Sequence, residues 1–243
     1  MLIPLSMMLL TSYNCIHSYS IELLSIDPLV IYLNNFLSDV EVDYLLGLGK
    51  DEFKESPISY GDGPLLDQTI RSSKTAYLPE DDIVCDCLAQ RMQSLLGNIQ
   101  HTRIESLQIV KYTGDDTFKF HLDWFSKPNN EIIDDGGMVR QRNRLGTIFA
   151  YLDDNCTRGE TYFPDLPSVS ISADSEKYAL PENGTGLLVK PRRGNAVFWN
   201  NLLPDGTGDE RLLHAGLPVH SGAKVGLNMW SYYFYDLPMV GGP

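Results

Sequence analysis

His121 and Asp123 stand two residues apart in a β-rich run, Phe118 to Trp124. On a strand, alternate residues project from one face, so this imidazole and carboxylate can converge on one metal ion. His-x-Asp alone is a weak sign, because surface pairs and satisfied core histidines share that spacing. A third candidate, His214, lies far downstream in another β-rich run, Leu212 to Ala215. Two histidines and one carboxylate form the facial site of non-haem iron(II), which leaves positions open for other ligands, unlike a closed structural zinc site.

Lys224 follows His214 by ten residues, with Gly216, Pro218 and Gly222 between them, which predicts neighbouring strands joined by a turn. An ammonium placed there answers a specific chemical need. 2-Oxoglutarate chelates iron through its 1-carboxylate and 2-keto group, and its remote 5-carboxylate cannot be buried without a counter-charge. Taken singly, each of these residues has an ordinary explanation; the ordered set of His-x-Asp, His and Lys is much harder to reach by accident. Of the other histidines, His17 lies near the N-terminus, His101 follows a helix, and His220, the rival third ligand, sits in an expected turn beside Ser221-Gly222.

The same triad admits two other readings. A zinc hydrolase could use it to activate water, although Lys224 then has no evident task. A non-catalytic peptide-binding module could keep the fold without turnover.

The elements that must position these groups divide into a helical part and a β part. Leu29 to Leu33, after Asp27-Pro28, reads as a strand. Ser38 and Glu41 form a capping box ahead of Val42, Leu45 and Leu46. Residues from Lys50 to Thr75 are punctuated by Gly and Pro and read as irregular. A second helix is expected from Asp81 or Asp82 to Leu96, with Val84, Leu88, Met92 and Leu95 on its apolar stripe and Gly97 at its end. From Ser106 onward, short β-rich runs alternate with turns: Leu107 to Tyr112, Phe118 to Trp124, Leu145 to Leu152, Glu160 to Phe163, Gly186 to Lys190, Ala196 to Trp199, Leu212 to Ala215 and Lys224 to Tyr235. They predict two facing sheets. The stretch Ser126 to Asn143 has a loop composition.

The chain has 243 residues, 43% of them hydrophobic, enough for a substantial single core. Its net charge of -13 argues against nucleic acid, which needs clustered Lys and Arg. Residues 1–20, with the apolar run Leu2 to Leu10, resemble a weak secretory leader or a disordered N-terminus, and that run is too short to span a bilayer. The sequons Asn155-Cys156-Thr157 and Asn183-Gly184-Thr185 agree with an endoplasmic reticulum or secretory route. Of the cysteines at 15, 85, 87 and 156, the first would leave with a leader. Cys85 and Cys87 diverge around a helix, so at most one bridge, to Cys156, is expected.

From about Asp27 to Tyr235 the sequence resembles the catalytic domain shared by collagen-type and plant-type prolyl 4-hydroxylases. The resemblance rests on Asp27-Pro28-Leu29-Val30, Arg71-Ser72-Ser73, Ile109-Val110-Lys111-Tyr112, His121-Leu122-Asp123, Gly159-Glu160-Thr161-Tyr162-Phe163-Pro164, Leu213-His214-Ala215-Gly216, Lys224 and Trp230. It implies an α+β fold with a double-stranded β-helix (jelly-roll) core of two facing antiparallel sheets, residues 104–236, on supporting N-terminal helices, residues 36–100, all within one domain, residues 21–243. It also implies iron(II) on His121, Asp123 and His214, and 2-oxoglutarate on Lys224, Tyr112 and Thr161. O2 and ascorbate would serve as co-reactants, and a proline-containing peptide as substrate, in contact with Arg144, Trp230 and Phe118. The chain departs from the family at Phe118, where members commonly carry Tyr, at Arg158, in place of the first Gly of a Gly-Gly-x-Thr turn, and at Val225, in place of Trp.

Overall fold

The computed structural model describes residues 13–60, 63–100, 103–132, 137–182 and 184–241. Leu2 to Leu10, His101, Asp134 to Gly136 and Asn183 of the second sequon lie outside them.

Strands β1 (Ser20–Ser25) and β2 (Val30–Asn34) form an antiparallel hairpin. Helix α1 (Asp39–Gly49) begins where the capping box places it: Glu41 N–H donates to Ser38 Oγ, and Ser38 N–H donates back to the Glu41 carboxylate at 2.8 Å. The region expected to be irregular instead carries four short strands, β3 (Lys54–Glu55), β4 (Ile58–Tyr60), β5 (Gly63–Leu65) and β6 (Lys74–Tyr77). None is long enough for alternation to show in sequence. Helix α2 (Ile83–Leu95) is capped by Asp82, whose carboxylate accepts from the N–H groups of Val84 and Cys85.

The β-rich half follows with β7 (Gln108–Thr113), β8 (Phe118–His121), β9 (Asn129–Ile132), β10 (Val139–Asp153), β11 (Cys156–Arg158), β12 (Thr161–Phe163), β13 (Tyr178–Ala179), β14 (Leu187–Val189), β15 (Ala196–Asn200), β16 (His214–Gly216) and β17 (Val219–Phe234). The stretch read as a loop, Ser126 to Asn143, holds β9 and the start of β10, which pair with Val139 opposite Ile132.

Two antiparallel sheets result. The larger runs β1-β2-β15-β10-β17-β7-β6-β3, with β9 added to β10 and β11 to β17; the smaller runs β13-β14-β12-β16-β8. Period-two alternation assigns the faces of the larger sheet. On β10, Ile148, Ala150 and Leu152 pack with Val42, Leu45, Leu88 and Met92 of the helices. Phe149 and Tyr151 point the other way, into a second core with Phe163, Leu187 and Val189 of the smaller sheet. The fold is therefore a three-layer arrangement of helices, large sheet and small sheet, and the interior between the sheets is where polar groups have been placed.

The cysteines depart from expectation. Cys15 is bonded to Cys87 across a separation of 72 residues, while Cys85 and Cys156 are free. The bridge ties the N-terminal segment to α2, and that segment packs: the Tyr13 hydroxyl donates to Glu41 at 2.8 Å, and Tyr19 meets Phe36 edge-on. Below it, Arg91 of α2 pairs with Glu41 of α1 at 2.6 Å, both side chains buried, and also donates to the Phe36 carbonyl. No helix among the described residues is long and apolar enough to cross a membrane.

Candidate active site

Strands β8 and β16 pair so that His121 and His214 are direct Cα partners. Directly opposed residues project to the same face, so both imidazoles enter the space between the sheets, with ring centroids 4.2 Å apart. Asp123 reaches them by a different route from the one alternation predicts. Strand β8 stops at His121, the chain bends at Asp123 and Trp124, and the carboxylate turns back. Its Oδ1 then lies 3.7 Å from His121 Nε2 and its Oδ2 3.9 Å from His214 Nε2. One ligand atom from each of the three residues falls within 4.8 Å of the others, as a shared ion requires.

Backbone carbonyls select the tautomer of each histidine. His121 Nδ1 faces the Lys119 carbonyl at 2.8 Å and His214 Nδ1 the Leu212 carbonyl at 2.9 Å. A carbonyl only accepts, so each Nδ1 carries the proton and each Nε2 offers a lone pair. Burial, then the neighbouring His214, pushes the His121 imidazole down to about 3, and a neutral ring is the ligating form. Burial alone would raise Asp123, but electrostatic interactions with His214, His121 and the Arg144 guanidinium, with a hydrogen bond from Thr147, hold its carboxyl below the usual carboxylate range. Phe118 backs this end of the site, stacked on His121 with centroids 3.5 Å apart. The Arg71 guanidinium carbon lies 4.6 Å from the same phenyl ring.

The same cavity is lined by Lys224, Tyr112 and Thr161. Lys224 does not sit beside His214 on an adjoining strand, as the turn between them suggested. It lies on β17 of the larger sheet and reaches inward from the opposite wall. It is 1% exposed, and its ammonium donates to the Gly159 carbonyl at 2.7 Å. Tyr112, Phe149 and Tyr151 ring it at 5.1, 5.2 and 5.9 Å. No acidic side chain forms an ion pair with it among the described residues, and burial pushes it down to about 8, with Cys156 and Glu160 acting in the other direction. Thr161 Oγ1 meets the Tyr151 hydroxyl at 2.9 Å. Trp199 and Trp230, also in the cavity wall, have indole N–H groups that are buried without a partner.

Arg144, expected as a substrate contact, is engaged within the protein. Its Nε and Nη2 both donate to Glu105 at 2.7 Å, Nη1 donates to the Asp123 carbonyl at 3.3 Å, and its guanidinium lies 3.8 Å from the Trp230 ring. His220 is exposed and outside the cluster. Sequence reasoning passed over Arg71, Glu105, Thr147 and Asn201 as site neighbours; only Arg71 carried a signal, through the Arg71-Ser72-Ser73 segment.

Comparisons with known proteins agree with this geometry. The family model described as the 2OG-Fe(II) oxygenase superfamily matches residues 107–232, just over half of the chain. Probable prolyl 4-hydroxylase 3 of Arabidopsis thaliana is 30% identical over 214 residues, covering 87% of this chain and 71% of its own length. Probable prolyl 4-hydroxylase 4 of the same plant is 27% identical over 214 residues, with 86% and 69% covered. The viral collagen prolyl hydroxylase of Paramecium Bursaria Chlorella virus-1, solved as a 2OG complex, shares the fold with a TM-score of 0.57 at 24% identity, over 84% of this chain and 95% of that one. The protein accordingly belongs to the 2OG-Fe(II) oxygenase superfamily, as a 2-oxoglutarate-dependent dioxygenase of the prolyl 4-hydroxylase family.

Proposed function

We propose that the chain hydroxylates peptidyl proline at the 4-position, with His121, Asp123 and His214 holding iron(II) and Lys224 receiving the 5-carboxylate of 2-oxoglutarate. The observation that carries this reading is Lys224: a fully buried ammonium with one carbonyl partner, in the cavity that also holds the triad. A buried cation without a counter-ion is costly, so it awaits an anion. Tyr112 and Thr161 would hydrogen-bond that carboxylate. When bound, iron and 2-oxoglutarate supply the oxygen activation, in which one atom of O2 ends in succinate, the other in the new hydroxyl, and CO2 leaves.

The residues of this chain supply orientation and dryness. The two Nδ1–H bonds hold the imidazoles, and the aromatic ring around Lys224 excludes water. Trp230, at the cavity wall, and Phe118, on His121, would border the substrate, while Arg144 acts from behind Trp230. A hydrolase would leave Lys224 without a task, and a module without turnover would not need the triad and its tautomers kept intact.

We extend the reading to ascorbate as the reductant that keeps iron ferrous and to the secretory pathway as location. The Cys15–Cys87 disulfide and the exposed Asn155 of the first sequon support an oxidising, glycosylating compartment.

The test is incubation with iron(II), 2-oxoglutarate, ascorbate and a library of proline-rich peptides, followed by mass spectrometry. A single added oxygen on proline, with succinate formed in step with it, is the expected result. Succinate with no modified peptide would keep the oxygenase and overturn proline as the target.

A further inference from the structure

We infer that Thr147 and Asn201 select which oxygen of Asp123 reaches the metal, an inference that rests on the triad being the iron site. Asn201 Nδ2 donates to Thr147 Oγ1 at 2.9 Å, and Thr147 Oγ1 lies 2.7 Å from Asp123 Oδ2. An amide NH2 has only hydrogens to give and an ionised carboxylate has only lone pairs. The hydroxyl between them therefore accepts from the amide and sends its single proton to Oδ2.

The reverse orientation does not fit. With the Asn201 amide turned over, its oxygen would take the Thr147 proton. Thr147 Oγ1 and Asp123 Oδ2 would then face each other as two acceptors, with no proton to hold them at the observed 2.7 Å. Thr147 and Asn201 are 0% and 1% exposed, so water does not compete with this chain of donors.

Both oxygens face the cluster, Oδ1 at 3.7 Å from His121 Nε2 and Oδ2 at 3.9 Å from His214 Nε2, but the proton from Thr147 takes electron density from Oδ2 and leaves Oδ1 the stronger donor. The carboxylate then serves as a one-oxygen ligand, which keeps the remaining iron positions open for a bidentate cosubstrate and O2.

Such steering matters more here than for the histidines. Both imidazoles are fixed by paired strands of the smaller sheet, whereas Asp123 lies beyond the end of β8, where no ladder holds it. The larger sheet supplies the missing constraint. Thr147 shares the inward face of β10 with Phe149 and Tyr151, and Asn201 directly follows β15, the strand paired to β10. Thr147 touches neither substrate nor metal; it is a positioning residue that acts through Asp123.

The test titrates the metal-free protein with cobalt(II), reading visible absorption for coordination and thermal melting for folding. Thr147→Val, which keeps the shape and removes the hydroxyl, should weaken cobalt binding by about 10- to 100-fold. It should also move the cobalt spectrum towards higher coordination as the carboxylate becomes bidentate. Thr147→Ser, which restores the proton, should return both to wild type. Asn201→Ala supplies the same information should Thr147→Val not fold: the hydroxyl stays but its proton is no longer directed, and affinity should fall. Wild-type cobalt affinity and spectrum in a folded Thr147→Val or Asn201→Ala protein would overturn the inference. Equal cobalt binding by wild type and Asp123→Ala would overturn the iron-site reading itself.

Discussion

His214 and Lys224 are ten residues apart in sequence and face each other from opposite sheets: His214 belongs to β16 of the smaller sheet and Lys224 to β17 of the larger. The turn after Gly216 is thus a crossover between layers, and the site is the gap it spans. The His121, Asp123 and His214 cluster comes from one wall, the cation comes from the other, and a dicarboxylic acid of suitable length can bridge them.

Replacing Lys224 by Met, which keeps the volume and removes the charge, should weaken 2-oxoglutarate binding. Breaking a buried ion pair costs about 3 to 5 kcal/mol, which is roughly two to four orders of magnitude in the dissociation constant. Anaerobic calorimetry with a redox-inert metal in the site measures it. A dissociation constant near wild type would place the 5-carboxylate elsewhere.

The depressed Lys224 also predicts a pH dependence. Burial lowers its affinity for protons from 10.5 to about 8 in the free protein, so above about pH 8 the empty site increasingly holds a neutral amine. Binding the 5-carboxylate then requires proton uptake. The 2-oxoglutarate dissociation constant should be flat below about pH 8 and rise roughly tenfold per pH unit above it, a slope of one proton. For folding the sign is opposite. The unfolded chain binds more protons here, so Lys224 destabilises the empty fold at pH 7, and that penalty fades as pH rises from about 8 towards 10.5. A pH-independent dissociation constant in wild type, matching that of Lys224→Met in shape, would contradict the assignment.

Part of the site is legible because strands report their faces through alternation. Tyr112 and Thr161 share the inward faces of their strands with the buried Val110 and Phe163, whereas His121 and Lys224 alternate with Phe120 and Val225 and are legible through residue type and order alone. Asp123 meets the two histidines through a bend and not through the strand alternation that its spacing suggests. The Thr147–Asn201 link was illegible, because 54 residues separate partners joined only by the pairing of β10 with β15. Strands β3 to β6 were missed because two to four residues carry no period. The run before Cys15 reads as a leader, and no local pattern ties that cysteine to Cys87.

Arg158 adopts φ 64°, a left-handed conformation that suits the glycine found at this place in the resembling family. Its side chain is exposed and only 3.8 Å from Glu182, a contact worth little in water. Relief of backbone strain outweighs the extra freedom that glycine brings to the unfolded chain, so Arg158→Gly should stabilise the protein by about 0.5 to 1 kcal/mol, a rise of roughly 1 to 4 °C in Tm. Scanning calorimetry decides it; an unchanged or lower Tm would mean that Arg158 makes a compensating contact.

The Cys15–Cys87 bridge closes a loop of 72 residues that contains α1 and the first turn of α2. Loop-closure entropy alone assigns such a cross-link about 4 kcal/mol, and in the bridged segment the Tyr13 hydroxyl also donates to Glu41 while the Cys15 carbonyl accepts from Arg91. Cys15→Ser with Cys87→Ser should therefore lower the free energy of unfolding in urea by about that amount, and a reducing agent should bring wild type to the same value. The loss belongs to the helical layer, away from the triad, so cobalt affinity should remain that of wild type in the fraction still folded. A double variant as stable as wild type under oxidising conditions would show that the segment holds the helices through packing alone.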